Sequence, residues 1–175
     1  VMYGHAGKEK KYTSVLVRSD DNCRNWHVVS VIAAGVPPDS AFRNAEGYCE
    51  PTFARVKDGS LLCVMRIGSS MPLFQARSLD QGRSWTTPVM LPGLSSTDAE
   101  SVCPQLLLLK SGVLALSYGR PHDRIALSAD GSGNRWDCST VSYDARTTGY
   151  SGIVETMPGR ILQVSDQGRT GPWQM

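Results

Sequence analysis

Apolar runs too short for helices alternate with turn residues along nearly the whole chain. Three glycines, Gly59 in Lys57-Asp58-Gly59, Gly112 in Lys110-Ser111-Gly112 and Gly159 in Met157-Pro158-Gly159, each separate two such runs. Residues 53–56, 106–109 and 153–154 precede these turns, and 61–65, 113–117 and 161–164 follow them. Runs of this length bounded by Gly and Pro predict hairpin-paired strands. A third strand, 74–77 or 124–127, and a fourth, around 88–91 or 140–143, complete each unit. The longest wholly apolar stretch, 106–109, suits a strand buried on both faces.

Between the third and fourth strands one polar pattern recurs. Ser78-Leu79-Asp80-Gln81-Gly82-Arg83-Ser84-Trp85 reads S-x-D-x-G-x-x-W. Ser128-Ala129-Asp130-Gly131-Ser132-Gly133-Asn134-Arg135-Trp136 carries one extra residue, and Ser19-Asp20-Asp21-Asn22-Cys23-Arg24-Asn25-Trp26 has Cys23 in place of glycine. An Asp in such a turn accepts backbone N–H bonds, glycine supplies the positive φ, and the indole covers the apolar side of the hairpin. The motif therefore reads as a structural staple between two outer strands. A Cβ resists positive φ, so the Cys23 copy is expected to let Asn22 adopt that conformation instead.

The three aspartates lie 59 and 50 residues apart, the length of a four-stranded propeller blade with generous loops. The expected fold class is all-β, a propeller with three to three and a half four-stranded blades in this chain. The expected units are a blade remnant at 1–37, blades at 46–92 and 100–145, and a partial blade at 148–175 of a single domain. Val1-Met2-Tyr3-Gly4-His5 resembles Leu116-Ser117-Tyr118-Gly119-Arg120, so the chain is expected to begin within a blade's second strand and to stop after Trp173, soon after another. An open propeller exposes sheet and core edges, which a longer polypeptide or a homo-oligomer would cover.

The repeat also places side chains. Counting back nine residues from each turn glycine gives Glu50, Cys103 and Tyr150, all at the entrance of an innermost strand. Pro51 and Pro104 follow two of them, as suits a strand's first residue. Counting forward, the second strands end at Met65-Arg66, Ser117-Tyr118-Gly119-Arg120 and Ser165-Asp166. Propeller strand ends converge on a central funnel, so Glu50, Tyr150, Arg66, Arg120, Tyr118 and Asp166 are expected to share one polar mouth.

Composition narrows the partners. With 41% hydrophobic and 19% charged residues the chain is ordinary globular material. A net charge of +2 excludes a strong field for nucleic acid, and the lysines within 8–11 read as a solvated loop. No apolar stretch is long enough to span a membrane as a helix. Five cysteines without C-x-x-C spacing indicate free thiols, and neither a zinc site nor a complete disulfide framework.

The Ser/Asp/Trp turns together with Cys49-Glu50-Pro51-Thr52, Met65-Arg66, Ser117-Tyr118-Gly119-Arg120-Pro121 and Gly149-Tyr150-Ser151-Gly152 resemble the sialidase superfamily of six-bladed propellers, specifically the bacterial neuraminidase repeat proteins, whose turn motif is the Asp box. Order and spacing look like the second half of such an enzyme. The resemblance implies a retaining, metal- and cofactor-independent exo-glycosidase removing terminal sialic acid or a related acidic sugar. Such a sugar carries a carboxylate on its anomeric carbon, which repels a carboxylate nucleophile, and sialidases use Tyr instead. A free phenol titrates near about 10, so a carboxylate must take its proton as it attacks. By family position Tyr150 is the nucleophile, Glu50 its base, and Arg66 and Arg120 the grip on the substrate carboxylate, with Arg124 an alternative to Arg120.

Sialidases also use a third arginine in an Arg-Ile-Pro-like segment and an Asp general acid from the first blade. Nothing in this sequence matches either, and a site without its general acid is expected to turn over poorly, since such proton transfer is worth ~10²–10⁴-fold. The rival readings are a non-catalytic glycan- or protein-binding propeller, and an Asp-box hydrolase acting on another sugar acid. The sequence leaves the compartment open; the resemblance leans towards an extracellular or periplasmic setting.

Overall fold

The structure, a computed structural model, describes residues 1–6, 10–95 and 102–166. Trp173, Lys8 and the outer ends of the last two expected units lie outside the described residues. Thirteen strands and one short 3₁₀ turn, Ser40–Phe42, make up the secondary structure of the described residues. Strands β1 (Met2–Ala6), β2 (Lys11–Arg18) and β3 (His27–Ala34) form the first sheet. The second holds β4 (Cys49–Arg55), β5 (Leu61–Arg66), β6 (Phe74–Ser78) and β7 (Val89–Met90) in that order. The third holds β8 (Val102–Leu108), β9 (Leu114–Gly119), β10 (Asp123–Ser128) and β11 (Cys138–Tyr143). Last come β12 (Ser151–Met157) and β13 (Arg160–Ser165).

Every sheet is an antiparallel meander, and β1 abuts β4, β4 abuts β8 and β8 abuts β12. The chain thus has the all-β architecture of a propeller, in sheets set side by side around their leading strands. Lys11 opens β2 half-buried, its Nζ donating to the Ala45 carbonyl at 2.6 Å, so this lysine is not part of a solvated loop.

The cores lie between sheets. On β5, Cys63 and Met65 join Leu16, Ile32 and Phe74 in a layer shared with the first sheet. Leu62 and Val64, on the opposite face, pack with Leu114, Leu116 and Trp136 of the third. With strand neighbours on either side and sheets on both faces, β5 and β9 are buried at every position. The stretch 106–109 behaves differently from expectation: Leu106 to Leu108 are only half-buried on β8, because that strand leads its sheet. Two-sided burial belongs to β5 and β9, which have a sheet on each face.

The Ser/Asp/Trp turns staple as expected. Asp80 Oδ1 accepts from Ser78 Oγ at 2.8 Å and Ser84 N at 2.9 Å, and Gly82 N donates to Ser78 Oγ at 2.7 Å. Asp21 and Asp130 repeat the arrangement with Ser19, Asn25 and with Ser128, Ser132. In the first copy both Asn22 (φ 57°) and Cys23 (φ 66°) take positive φ, matching Gln81 (63°) and Gly82 (85°). Asn22 does not substitute for Cys23: these two copies take two consecutive positive-φ residues, while the third, with its extra residue, takes Gly131 (75°) and Gly133 (69°).

The motif also joins neighbouring sheets, which the sequence reading missed. Trp85 Nε1 donates to Ser30 Oγ of β3 at 3.0 Å, and Trp136 Nε1 to Gln75 Oε1 of β6 at 3.0 Å. Gln75 completes a reciprocal pair by donating Nε2 to the Gly133 carbonyl at 2.9 Å. Trp136 is fully buried, whereas Trp26, with no described sheet ahead of it, is 58% exposed and does not cover its hairpin.

Two outcomes test this arrangement. Trp136→Ala should lose about 3–5 kcal/mol in denaturant unfolding, as large buried aromatics do, against about 0.5 kcal/mol or less for Trp26→Ala. The turn hydrogen bonds hold Asp21 and Asp80 down to about 2, Asp21 chiefly through the Asn25 N–H and Asp80 chiefly through the Ser84 hydroxyl. Carboxylates with depressed folded values stabilise above their unfolded value of about 3.9 and lose that contribution as pH falls towards 2. Near-ultraviolet circular dichroism should show acid destabilisation in that window, and Asp80→Asn should flatten it.

Candidate functional site

The leading strands of the second and third sheets enter through bulges. Register shifts separate Cys49 from Thr52 on β4 and Val102 from Gln105 on β8. Within them the repeat-equivalent Glu50 and Cys103 hold almost identical positive φ, 45° and 46°. Non-glycine residues rarely sit there, and a bulge of this kind re-aims its side chain. The third equivalent, Tyr150, is reached differently: Gly149 takes the positive φ (85°) just before β12. A Cβ on Gly149 would stand 2.6 Å from the Gly119 carbonyl, so the two backbones touch only because both residues are glycine. That contact brings the backbone leading to Tyr150 against the end of β9.

The Glu50 carboxylate gathers three sheets. Oε1 accepts from Arg66 Nη1 at 2.6 Å and from the Tyr150 hydroxyl at 3.0 Å, across 100 residues. Oε2 accepts the backbone N–H of Cys103 at 2.7 Å. The carboxylate side chain is 11% exposed, while Tyr150 is 50% exposed, so the phenol is open to solvent and its acceptor is sheltered. Burial, then the hydrogen bond to Glu50 and its charge, raise the Tyr150 phenol above its ordinary value. The phenol therefore keeps its proton at neutral pH and donates it in a hydrogen bond to Glu50 Oε1.

Arg66, at the end of β5, is enclosed by acceptors. Nη2 reaches both oxygens of Glu46 at 3.0 and 3.1 Å and Ser69 Oγ at 3.0 Å. Arg120 donates Nη1 to the same Ser69 Oγ at 3.0 Å and Nε to the Thr148 carbonyl at 2.9 Å. One hydroxyl therefore bridges the two guanidinium groups. Asp166, at the end of β13, accepts from the Thr148 hydroxyl at 2.7 Å and so braces the residue that orients Arg120. Asp123, fully buried, accepts from Thr147 Oγ1 at 3.1 Å, and Thr147 Oγ1 accepts from Gly149 N at 3.0 Å. The segment leading to Tyr150 is thus held by two carboxylates.

Of the residues expected at one mouth, Glu50, Tyr150, Arg66 and Arg120 come together, and Asp166 joins through Thr148. Tyr118 does not. It shares the inward face of β9 with Leu114 and Leu116, is fully buried, and makes a 2.7 Å hydrogen bond with Ser139 of β11. Arg124 sits on β10 between Tyr118 and Val141, one strand further out than Arg120. Burial raises the Cys103 thiol, so nothing activates it as a nucleophile. Among the described residues no cluster of three or more His, Cys, Asp or Glu could hold a metal ion.

Sequence reasoning missed Glu46, Ser69, Thr148 and the Cys103 N–H. None is repeat-equivalent to another, and a backbone donor leaves no signature in side-chain pattern.

The described helical turn is far too short to cross a membrane. No curated protein matches the chain. Among solved structures, a protein of unknown function from Dyadobacter fermentans superposes with TM-score 0.70 at 22% identity, covering 89% of this chain and 41% of that one. The Hadza microbial sialidase Hz136 superposes with TM-score 0.58 at 23% identity, covering 83% of this chain and 28% of its own. The chain therefore spans less than half the length of either. Residues 2–162 match the BNR repeat-like domain, so the chain belongs to the BNR repeat-like domain family and carries the propeller fold of the sialidase type.

Proposed function

We propose that this chain carries the nucleophile half of a sialidase-like exo-glycoside hydrolase. The observation that supports it most is the 3.0 Å hydrogen bond from the Tyr150 hydroxyl to Glu50 Oε1, beside Arg66. Tyr150 Oη would bond to the anomeric carbon of a terminal sialic acid as the bond from that carbon to the leaving oxygen breaks. The phenol proton passes to Glu50 Oε1, and the leaving oxygen departs with the bonding pair. In the second step water attacks the same carbon as the bond to Tyr150 Oη breaks; the departing phenolate takes back its proton from Glu50, and the proton lost by the water passes through solvent to the released aglycone anion. Two displacements retain configuration.

Arg66 and Arg120 would grip the substrate carboxylate, their fork geometry suiting planar oxyanions. The acceptors now on these donors, Glu46 and Ser69, mark where that carboxylate would compete. The same occupancy favours the rival reading of a non-catalytic glycan-binding propeller, in which Arg66 serves to hold Glu46 and Glu50.

An aryl α-sialoside separates the two, because its leaving group departs without strong help from an acid. The 175-residue chain should release the aryl group, Tyr150→Phe should abolish release, and Glu50→Gln should lower kcat by ~10²–10⁴-fold. Arg120→Ala should act mainly on KM. Binding of the sialoside with no release in the parent chain would favour the rival reading, and release that survives Tyr150→Phe would overturn the mechanism.

A further inference from the structure

Asp123 opens β10 with its side chain fully buried. Counting back five residues from Ser128 gives Asp123, and from Ser78 of the preceding sheet it gives Leu73, which is fully buried as well. A blade therefore accepts an apolar residue at this position, and its packing does not require an acid. The acid is also costly. Oδ1 has a donor, the Thr147 hydroxyl at 3.1 Å, whereas Oδ2 is buried with no hydrogen-bond donor among the described residues. A carboxylate kept at a position where leucine fits points to a role beyond packing, and its neighbours show which.

Two segments meet beside it, one carrying Arg120 and the other leading to Tyr150. Thr147 N donates to the Pro121 carbonyl at 2.7 Å, and Arg120 Nε to the Thr148 carbonyl at 2.9 Å. Thr147 Oγ1 accepts the Gly149 N–H at 3.0 Å while its own O–H is donated to Asp123 Oδ1. A hydroxyl offers a lone pair in a fixed direction only when its proton is held elsewhere, and Asp123 holds it. A Cβ on Gly119 would lie 2.7 Å from both Asp123 Oδ1 and Gly149 Cα, so the carboxylate sits where the two backbones touch. Gly149 adopts a positive φ of 85° immediately before Tyr150, and a rotation there would swing the phenol away from Glu50. Resting on the reading of Tyr150 as nucleophile and Glu50 as its base, we propose that Asp123 is a positioning residue, which acts through the Thr147 hydroxyl and the Gly149 amide to keep the Tyr150 hydroxyl on Glu50. The groups whose charge acts on the phenol are Glu50, Arg66 and Cys103, so Asp123 reaches Tyr150 through geometry.

Four variants of the 175-residue chain test this, each read in two ways. Asp123→Leu and Thr147→Val break the link at similar volume, whereas Asp123→Asn keeps the acceptor and Thr147→Ser keeps the hydroxyl. In ultraviolet difference titration against the matching chain carrying Tyr150→Phe, the first two should lower the Tyr150 midpoint towards the ordinary value of about 10, and the other two should leave it raised. On the aryl α-sialoside the first two should lower kcat by about 10²-fold with little change in KM, and the other two should keep kcat near that of the parent. A midpoint that Asp123→Leu and Thr147→Val leave unmoved, in chains whose circular dichroism is native, overturns the positioning role and leaves the sialidase-like reading standing, as does a loss that Asp123→Asn and Thr147→Ser share. Where the midpoint responds as expected but the parent releases no aryl group, the positioning role stands and the sialidase-like reading falls. Should Asp123→Leu fail to fold, the Thr147 pair decides alone.

Discussion

One carboxylate ties the leading edges of this propeller together. Glu50 accepts from Arg66 of its own sheet, from the Cys103 backbone of the next and from Tyr150 of the one after. Three donors on two oxygens can be satisfied only if the leading strands keep their mutual distance and the bulge on β4 keeps its strained φ. A buried carboxylate without partners would be costly, so the fold and the site share this constraint. The sheet-to-sheet cores and the Trp85 and Trp136 anchors hold the outer parts of the blades in the positions that the constraint requires.

The site is accordingly a product of repetition that has been broken three ways. At the same structural position the chain places an acid, a thiol and a phenol. The acid points inward on a positive-φ bulge, the thiol position contributes only its amide, and the phenol is delivered by Gly149 pressed against Gly119. Symmetry of backbone with asymmetry of side chain puts a proton donor against its acceptor. Glu46 and Ser69 then occupy Arg66 Nη2, and Ser69 also accepts from Arg120 Nη1.

Strand order, the hairpin turns and the meeting of Glu50 with Tyr150 were legible because internal repeats fix both register and direction. Tyr118 was misplaced because a strand's two faces differ by one residue: Leu114, Leu116 and Tyr118 face one core, and Ser117 with Gly119 face the next blade, where Ser117 meets Ser151. Stretch 106–109 was misjudged because apolar content cannot say whether a strand leads a sheet or lies second. The cross-sheet bonds of Trp85 and Trp136 depend on Ser30 and Gln75, which occupy different strands of their sheets, so the repeat gave no hint of them.

The central claim is that Glu50 holds the proton-bearing oxygen of Tyr150. Ultraviolet difference titration of the parent chain against Tyr150→Phe isolates the ionisation of this one phenol. The account predicts a midpoint above the ordinary value of about 10 that falls when Glu50→Gln removes the charge and the strong acceptor. A midpoint at or below 10, unmoved by Glu50→Gln, would contradict it.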